Sequence, residues 1–241
     1  MIIFPAIDLF EGKAVRLLRG DYARMTVYSD DPPAVARGFI AAGAKHIHLV
    51  DLEGARSGRA ENFDTVREII SLGLRAEVGG GIRTAETAER YLDAGAERVI
   101  LGTAALEDEK LLRELVHRRG DAIAVGVDMR DGYVAVKGWT STSEVSGTEL
   151  MERLADIGIR HVICTDISRD GAMGGTNREL YRELAARFDT DITASGGIST
   201  LDDIRALRDM GLYGAILGKA LYTGDIDLKQ ALEAAEEKGT Q

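Results

Sequence analysis

The chain predicts an α/β fold of one kind, a (β/α)8 TIM barrel, and three observations lead there. Eight short apolar runs alternate with eight amphipathic stretches across 241 residues. The runs are mostly continuous in Val, Ile, Leu and Ala, as parallel strands covered on both faces must be. Phrases also recur at a nearly constant offset: Asp8 against Asp128 at 120 residues, Asp51 against Asp166 at 115, and Gly80 against Gly196 and Gly102 against Gly218 at 116. That spacing predicts a twofold internal half-barrel repeat, each half holding four strand–helix units. A doubly wound open sheet explains neither the count nor the repeat. One barrel domain is expected over 1–241, with half-barrels at about 1–120 and 121–241.

In chain order, the first strand spans 2–7 and ends on Asp8. A turn containing Gly12 and a second apolar run follow it in AIDLFEGKAV. A helix over 32–43 leads through Gly43 to the strand 46–50, which ends on Asp51. Helix 61–73 and Gly73 precede strand 75–79. Thr84 caps helix 84–94, with Glu86 and Thr87 in its first turn. Gly95 separates that helix from strand 97–101, and helix 107–119 closes the half. The second half opens with strand 122–127 and Asp128, again with a glycine turn, at Gly132, and a second apolar run in GVDMRDGYVA. Helix 147–158 and Gly158 lead to strand 160–165 and Asp166. Asn177, with Glu179, caps helix 177–187. After strand 191–195, Thr200 with Asp202 and Asp203 caps helix 200–210; then come Gly211, strand 213–217 and helix 226–238. The glycines named after helices sit where a left-handed residue is wanted. No linker, low-complexity segment or second domain interrupts the series.

Composition narrows the setting. With 45% hydrophobic residues the chain can bury a large core. A net charge of −10 argues against a nucleic-acid surface and against anionic membranes. No apolar run approaches the roughly 18 residues of a spanning helix, and MIIFPAID lacks the basic region and cleavage site of a signal peptide. The lone Cys164, in HVIC, excludes an internal disulfide, reads as a core residue and suits a reducing cytoplasm. A cytoplasmic protein with no nucleic-acid or membrane partner is expected.

Barrel geometry places the chemistry. Active sites of this fold lie at the C-terminal strand ends and the loops that follow. Asp8, Asp51, Asp128 and Asp166 all fall there. The first and fifth strands are opposite in an eight-strand ring, so Asp8 and Asp128 face each other across the mouth. Two facing carboxyl groups can move protons as base and acid. Asp51 and Asp166 lean toward ordering loops.

Glycine-rich strand ends supply a second chemistry. GGGIR, ILGTAA, ASGGIS and ILGKAL bring backbone N–H groups to helix starts, where a glycine backbone approaches an anion closely. Gly81 with Gly102, and Gly197 with Gly218, predict two phosphates on opposite sides of the mouth. The substrate is then a long, bisphosphorylated small molecule. Thr103 is expected to donate to phosphate. Strand parity with Asp8 and Asp51 permits His48 to point at the ligand, while His117 and His161 read as surface and core residues. No His, Cys and Asp cluster has metal-ligand spacing, and no Ser-His-Asp arrangement stands out.

PAIDL, VRLLRGDY, TVYSDDP, HLVDLEGA, VGGGIR, LGTAAL, VDMRDG, VKGW, TDISRDG, ASGGI and GKALY follow one another from the first strand to the last. In that order they resemble the histidine-biosynthesis isomerase family, commonly called HisA. The resemblance implies an Amadori rearrangement of an N-linked phosphoribosyl formimino aminoimidazole carboxamide ribotide, aminoaldose to aminoketose. It implies Asp8 as general base, Asp128 as general acid, and Arg16, Arg83, Trp139, Thr165 and Asp170 as substrate-binding residues. It implies no metal and no organic cofactor, and a monomer is expected. Such a mechanism requires Asp128 protonated at working pH, through burial or a nearby negative charge. Trp139, the only tryptophan, either stacks on the imidazole or packs the barrel rim.

The segments 16–30, 137–146 and 168–176 read as polar loops that order over substrate. AMGGTN after TDISRDG departs from the family at Ala172 and Thr176, and TSTSEVSG fits loosely. Both departures bear on substrate breadth. One alternative is therefore a dual-substrate isomerase that also takes phosphoribosylanthranilate, of tryptophan biosynthesis. Another is the sister imidazole glycerol phosphate synthase cyclase subunit, whose first strand resembles CLDV and which lacks the VRLLRGDY and VKGW phrases. A non-catalytic phosphate-binding barrel would need the glycines but neither Asp8 nor Asp128.

Overall fold

The structure, a computed structural model, describes residues 1–237. The end of the helix expected over 226–238, and of the domain expected over 1–241, lie outside them. In chain order the strands are β1 (Ile2–Phe10), β2 (Lys13–Leu18), β3 (Asp21–Ser29), β4 (His46–Asp51), β5 (Arg75–Gly79) and β6 (Arg98–Leu101). They continue as β7 (Ile123–Arg130), β8 (Tyr133–Val136), β9 (Ser141–Ser146), β10 (His161–Asp166), β11 (Asp191–Ser195) and β12 (Gly214–Leu217). The helices are α1 (Pro32–Ala41), α2 (Leu52–Ser57), α3 (Phe63–Ser71), α4 (Ala85–Asp93), α5 (Thr103–Glu107) and α6 (Glu109–Arg119). After them come α7 (Gly147–Ile157), α8 (Arg178–Arg187), α9 (Leu201–Asp209), α10 (Lys219–Thr223) and α11 (Leu228–Glu236).

Eight strands form the expected barrel: β1, β4, β5, β6, β7, β10, β11 and β12 pair in parallel, and β12 returns to β1 to close the ring. Alternation within β1 shows why. Ile3, Ile7 and Leu9 belong to the large core beneath the helices, whereas Phe4 and Ala6 join Ile100, Ala124, Ile163 and Ile216 in a separate cluster. Successive side chains of a strand face opposite ways, so that second cluster fills the barrel's interior. Each fully buried Ile or Leu contributes about 1.5–3 kcal/mol. Cys164 is fully buried, as expected, and burial pushes its thiol up to about 12.

The caps stand where their residues predict. Thr84 accepts from the N–H of Thr87, Asn177 from that of Leu180, and Thr200 forms a capping box with Asp203. Gly43, Gly73, Gly95, Gly158 and Gly211 all have positive φ.

Two expectations need correction. β1 and β7 do not stop at the aspartates but run on to Phe10 and Arg130. Nor are 16–30 and 137–146 simply loops: β2 and β3 form an antiparallel hairpin on β1, and β8 and β9 one on β7. The cause is turn chemistry. Glu11-Gly12, Arg19-Gly20 and Asp131-Gly132 each put two residues at positive φ, between 49° and 84°, the two-residue turn that matches strand twist. The short helices α2, α5 and α10, at the mouth, also lie outside the expected elements.

Candidate active site

All the candidate residues gather at the C-terminal mouth. Asp8, Arg16, His48, Gly81, Arg83, Gly102, Thr103, Asp128, Trp139, Thr165 and Asp170 line one cleft of about 1230 Å3, solvent at its mouth included. Gly197 and Gly218 line a smaller cavity beside it, which shares Arg16, Asp170 and Ser195 with the cleft.

Asp8 and Asp128 have different surroundings. Asp8 sits mid-ladder, between Val15 of β2 and Val50 of β4, so its carboxylate is held by two strands. Its Oδ1 lies 3.0 Å from Nη1 of Arg16, both side chains nearly buried. Burial raises the Asp8 carboxyl above its ordinary range, while Arg16 and His48 pull it back. Asp128 has no such partner. Its Oδ2 accepts from Nε1 of Trp139 at 2.7 Å, and Thr165, its register neighbour on β10, also hydrogen bonds to it. Burial raises Asp128 too, against those two neutral donors and the more distant His48. Asp170 is a third carboxyl of the cleft, half-buried and pushed up to about 6 by desolvation, with Arg16 opposing and Asp8 and Asp128 reinforcing.

The hairpins bring cover to this floor. A Cβ on Gly20 would fall 2.5 Å from Cε3 of Trp139, so the indole lies against bare backbone of the first hairpin. Glycine alone fits there, since Gly20 also has φ of +73°. The amide of Lys137 donates to Oγ1 of Thr103 at 2.8 Å, which leaves the threonine's own proton to give. The amide of Arg19 donates to the carbonyl of Asp170 at 3.2 Å, joining the first hairpin to the segment after β10. Thus 16–30 already touches both 137–146 and 168–176.

The glycine cradles also differ in detail. Arg16 places its guanidinium over Gly218, where any Cβ would collide with it, so one arginine touches both Asp8 and the second cradle. Lys219, absent from the sequence expectations, donates to the carbonyl of Gly171 at 3.0 Å and lines the same cavity. Arg83 donates to the carbonyl of Ala55 at 2.9 Å and lines the cleft on the first side.

Asp51 and Asp166 prove structural in what they touch. Asp51 is fully buried and accepts from the amides of Gly54 and Asn62 and from Nδ2 of Asn62, at 2.8–2.9 Å. Asp166 accepts from the amide and hydroxyl of Ser168 and from Nδ2 of Asn177. Each asparagine lies eleven residues downstream, at the start of α3 or α8.

Glu77, like Lys219, is a residue that sequence reasoning missed. Its carboxylate lies 2.7 Å from Nδ1 of His48, almost wholly inside the barrel. The available signal was a carboxylate set between Ala76 and Val78 in the strand RAEVG. His117 is exposed and His161 buried, as expected.

A family model described as histidine biosynthesis protein matches residues 2–227. The chain belongs to the histidine-biosynthesis isomerase family. Its relatives in this family match nearly end to end. One from a Roseiflexus species is 49% identical over 98% of this chain and 100% of its own length. One from Roseobacter denitrificans is 51% identical over 97% and 99%, and one from Thermoanaerobacter pseudethanolicus 42% over 98% and 100%. Each of these family members is named as a phosphoribosyl imidazole-4-carboxamide isomerase. Within the family's barrel, the opposed strands β1 and β7 carry the two aspartates singled out by their offset.

Proposed function

We propose that this chain catalyses the Amadori rearrangement of histidine biosynthesis, converting the phosphoribosyl formimino aminoimidazole carboxamide aminoaldose into its aminoketose. The family and the names of its relatives support that reaction. They favour it over the dual-substrate isomerase and over the cyclase subunit. The observation that carries the residue roles is the asymmetry between two half-buried aspartates in one cleft: Asp8 has a cation at 3.0 Å and Asp128 has only neutral donors. Environments that push two carboxyl groups apart assign base and acid.

Asp128, protonated, gives its proton to the ribose ring oxygen through Oδ1, since Oδ2 is taken by Trp139. The ring opens to a Schiff base at C1. Asp8, kept ionised by Arg16, removes the C2 proton; the enolamine regains a proton at C1 and relaxes to the ketone. Burial strengthens each of these contacts by excluding water. Phosphates at the two ends of the substrate rest on the backbone of Gly81, Gly102 and Thr103 on one side and of Gly197 and Gly218 on the other. Arg83 flanks the first phosphate, and Arg16 and Lys219 flank the second. Thr165, Asp170 and His48 meet the sugar between them, and Trp139 covers the imidazole. Among the described residues no helix is long and apolar enough to cross a membrane; the reading is of a cytoplasmic monomer that uses no cofactor.

The test is turnover by the purified protein of the formimino aminoaldose and, separately, of phosphoribosylanthranilate. Conversion of the first alone is expected. Inactivity on the first overturns the reading, and comparable turnover of both replaces it with the dual-substrate one.

A further inference from the structure

His48 and Glu77 are register neighbours on β4 and β5, with side chains 12% and 3% exposed. A carboxylate can only accept, so at 2.7 Å from Glu77 the ring proton of His48 belongs on Nδ1. Its other nitrogen, Nε2, is then left for the cleft that His48 lines with Asp8, Asp128 and Asp170. An imidazole held by one nitrogen presents the other with a fixed direction and a fixed tautomer.

We propose that Glu77 is a positioning residue, which holds His48 in the Nδ1–H tautomer so that the Nε2 lone pair accepts from a sugar hydroxyl of the substrate. This rests on the reading of the cleft as the isomerase site. The surroundings leave Glu77 little else to do for His48. Asp8 on β1, Asp128 on β7 and Asp170 after β10 line the same cleft, and Arg16 and Trp139 already engage Asp8 and Asp128. On the far side stand His46 on β4 and Arg98 on β6, whose contacts are with Phe4, Glu97 and Tyr213. Burying a carboxylate in a barrel interior is costly unless it is paired, so the pair is built for orientation rather than for filling space.

Nitrogen-15 spectra of the full-length protein read the tautomer directly, with His48 assigned by the loss of its signals in His48→Asn. The expected result is a protonated Nδ1 in the unmodified protein, and a change to the Nε2–H form in Glu77→Leu. With the aminoaldose, kcat of Glu77→Leu should fall about 10–100-fold, the scale seen when the outer partner of a metal-ligating histidine is removed. KM should change far less, and Glu77→Gln, which keeps an acceptor, should recover much of the loss. An Nε2–H ring in the unmodified protein overturns the proposal. So does a folded Glu77→Leu with unchanged kcat. Should the leucine variant not fold, Glu77→Gln decides: retention of Nδ1–H supports the proposal and its loss without effect on kcat overturns it. Failure of the isomerase reading would appear separately, as no turnover of the aminoaldose by the unmodified protein while its His48 spectrum still shows the Nδ1–H form.

Discussion

Nε1 of Trp139 donates to Oδ2 of Asp128 at 2.7 Å while the Cε3 edge of the same indole lies against Gly20. One side chain thereby joins the two hairpins above the residue assigned as the acid. Trp139 holds φ of +67° to do this, a conformation that costs a non-glycine residue energy and that persists only when its surroundings impose it.

Replacing that donor should change the titration of Asp128. The Trp139 hydrogen bond lowers the Asp128 carboxyl, against the larger effect of burial. Trp139→Phe keeps an aromatic ring and removes the N–H, so Asp128 should stay protonated to higher pH. The basic limb of the kcat profile is expected to move to higher pH. A limb that stays in place or moves down would detach Trp139 from the acid.

Gly20→Ala should act on the same tryptophan from the opposite side. Its Cβ would press on the indole, so Trp139 must shift. Because the chain has a single tryptophan, intrinsic fluorescence reports that shift without ambiguity. The emission should move, and kcat should fall about 10–100-fold through misplacement of groups around Asp128. Unchanged emission together with unchanged kcat would count against the contact.

Asp8→Asn and Asp128→Asn are each expected to slow turnover about 10²–10⁴-fold while keeping the fold, since both amides match the carboxyl in shape. The Asp8 variant should still open the sugar ring and then stall, whereas the Asp128 variant should stall before opening. Combined, the losses should be less than additive, because both residues serve one reaction sequence. Rapid-quench analysis of the intermediates distinguishes the two blocks, and near-normal kcat in either variant would make its aspartate structural.

Asp170 should carry a measurable cost in stability. Its folded carboxyl is raised from 3.8 to about 6 by burial. A raised carboxyl favours the folded state while protonated, so its contribution is fully present below pH 3.8 and is lost as pH climbs through 6. Asp170→Asn removes that loss. Denaturant unfolding at pH 8 should show the variant more stable by on the order of 2–3 kcal/mol, with the difference shrinking toward pH 4. Activity should fall at the same time, as expected where a site holds a destabilised charge. Equal stabilities at pH 8 would contradict the shift.

Much of the architecture was legible in the chain. The Val, Ile and Ala runs that became β1, β4 and β10, and caps such as Thr200 with Asp203, are local signals whose physics acts within a few residues. Asp8 and Asp128 were legible for a different reason: their offset put them on opposite strands once the count reached eight. The hairpins were half legible. Gly12 and Gly132 announced turns, but β3 and β9 bury no residue fully, so hydrophobic periodicity was silent about them. The segments at 16–30 and 137–146 therefore read as loops although Arg19-Gly20 carried a turn signal.

By itself, then, the sequence determined the alternation of elements, the ring of eight, the family and the pair of carboxyl groups at the mouth. Only the tertiary structure decided which groups each carboxyl meets: Arg16 at Asp8, Trp139 and Thr165 at Asp128, and Glu77 behind His48. Element type follows from residues three or four positions apart, or alternating ones. Protonation and orientation follow instead from burial and from partners brought together by strand register and hairpin folding, 8 residues away for Arg16 but 29 for Glu77 and His48.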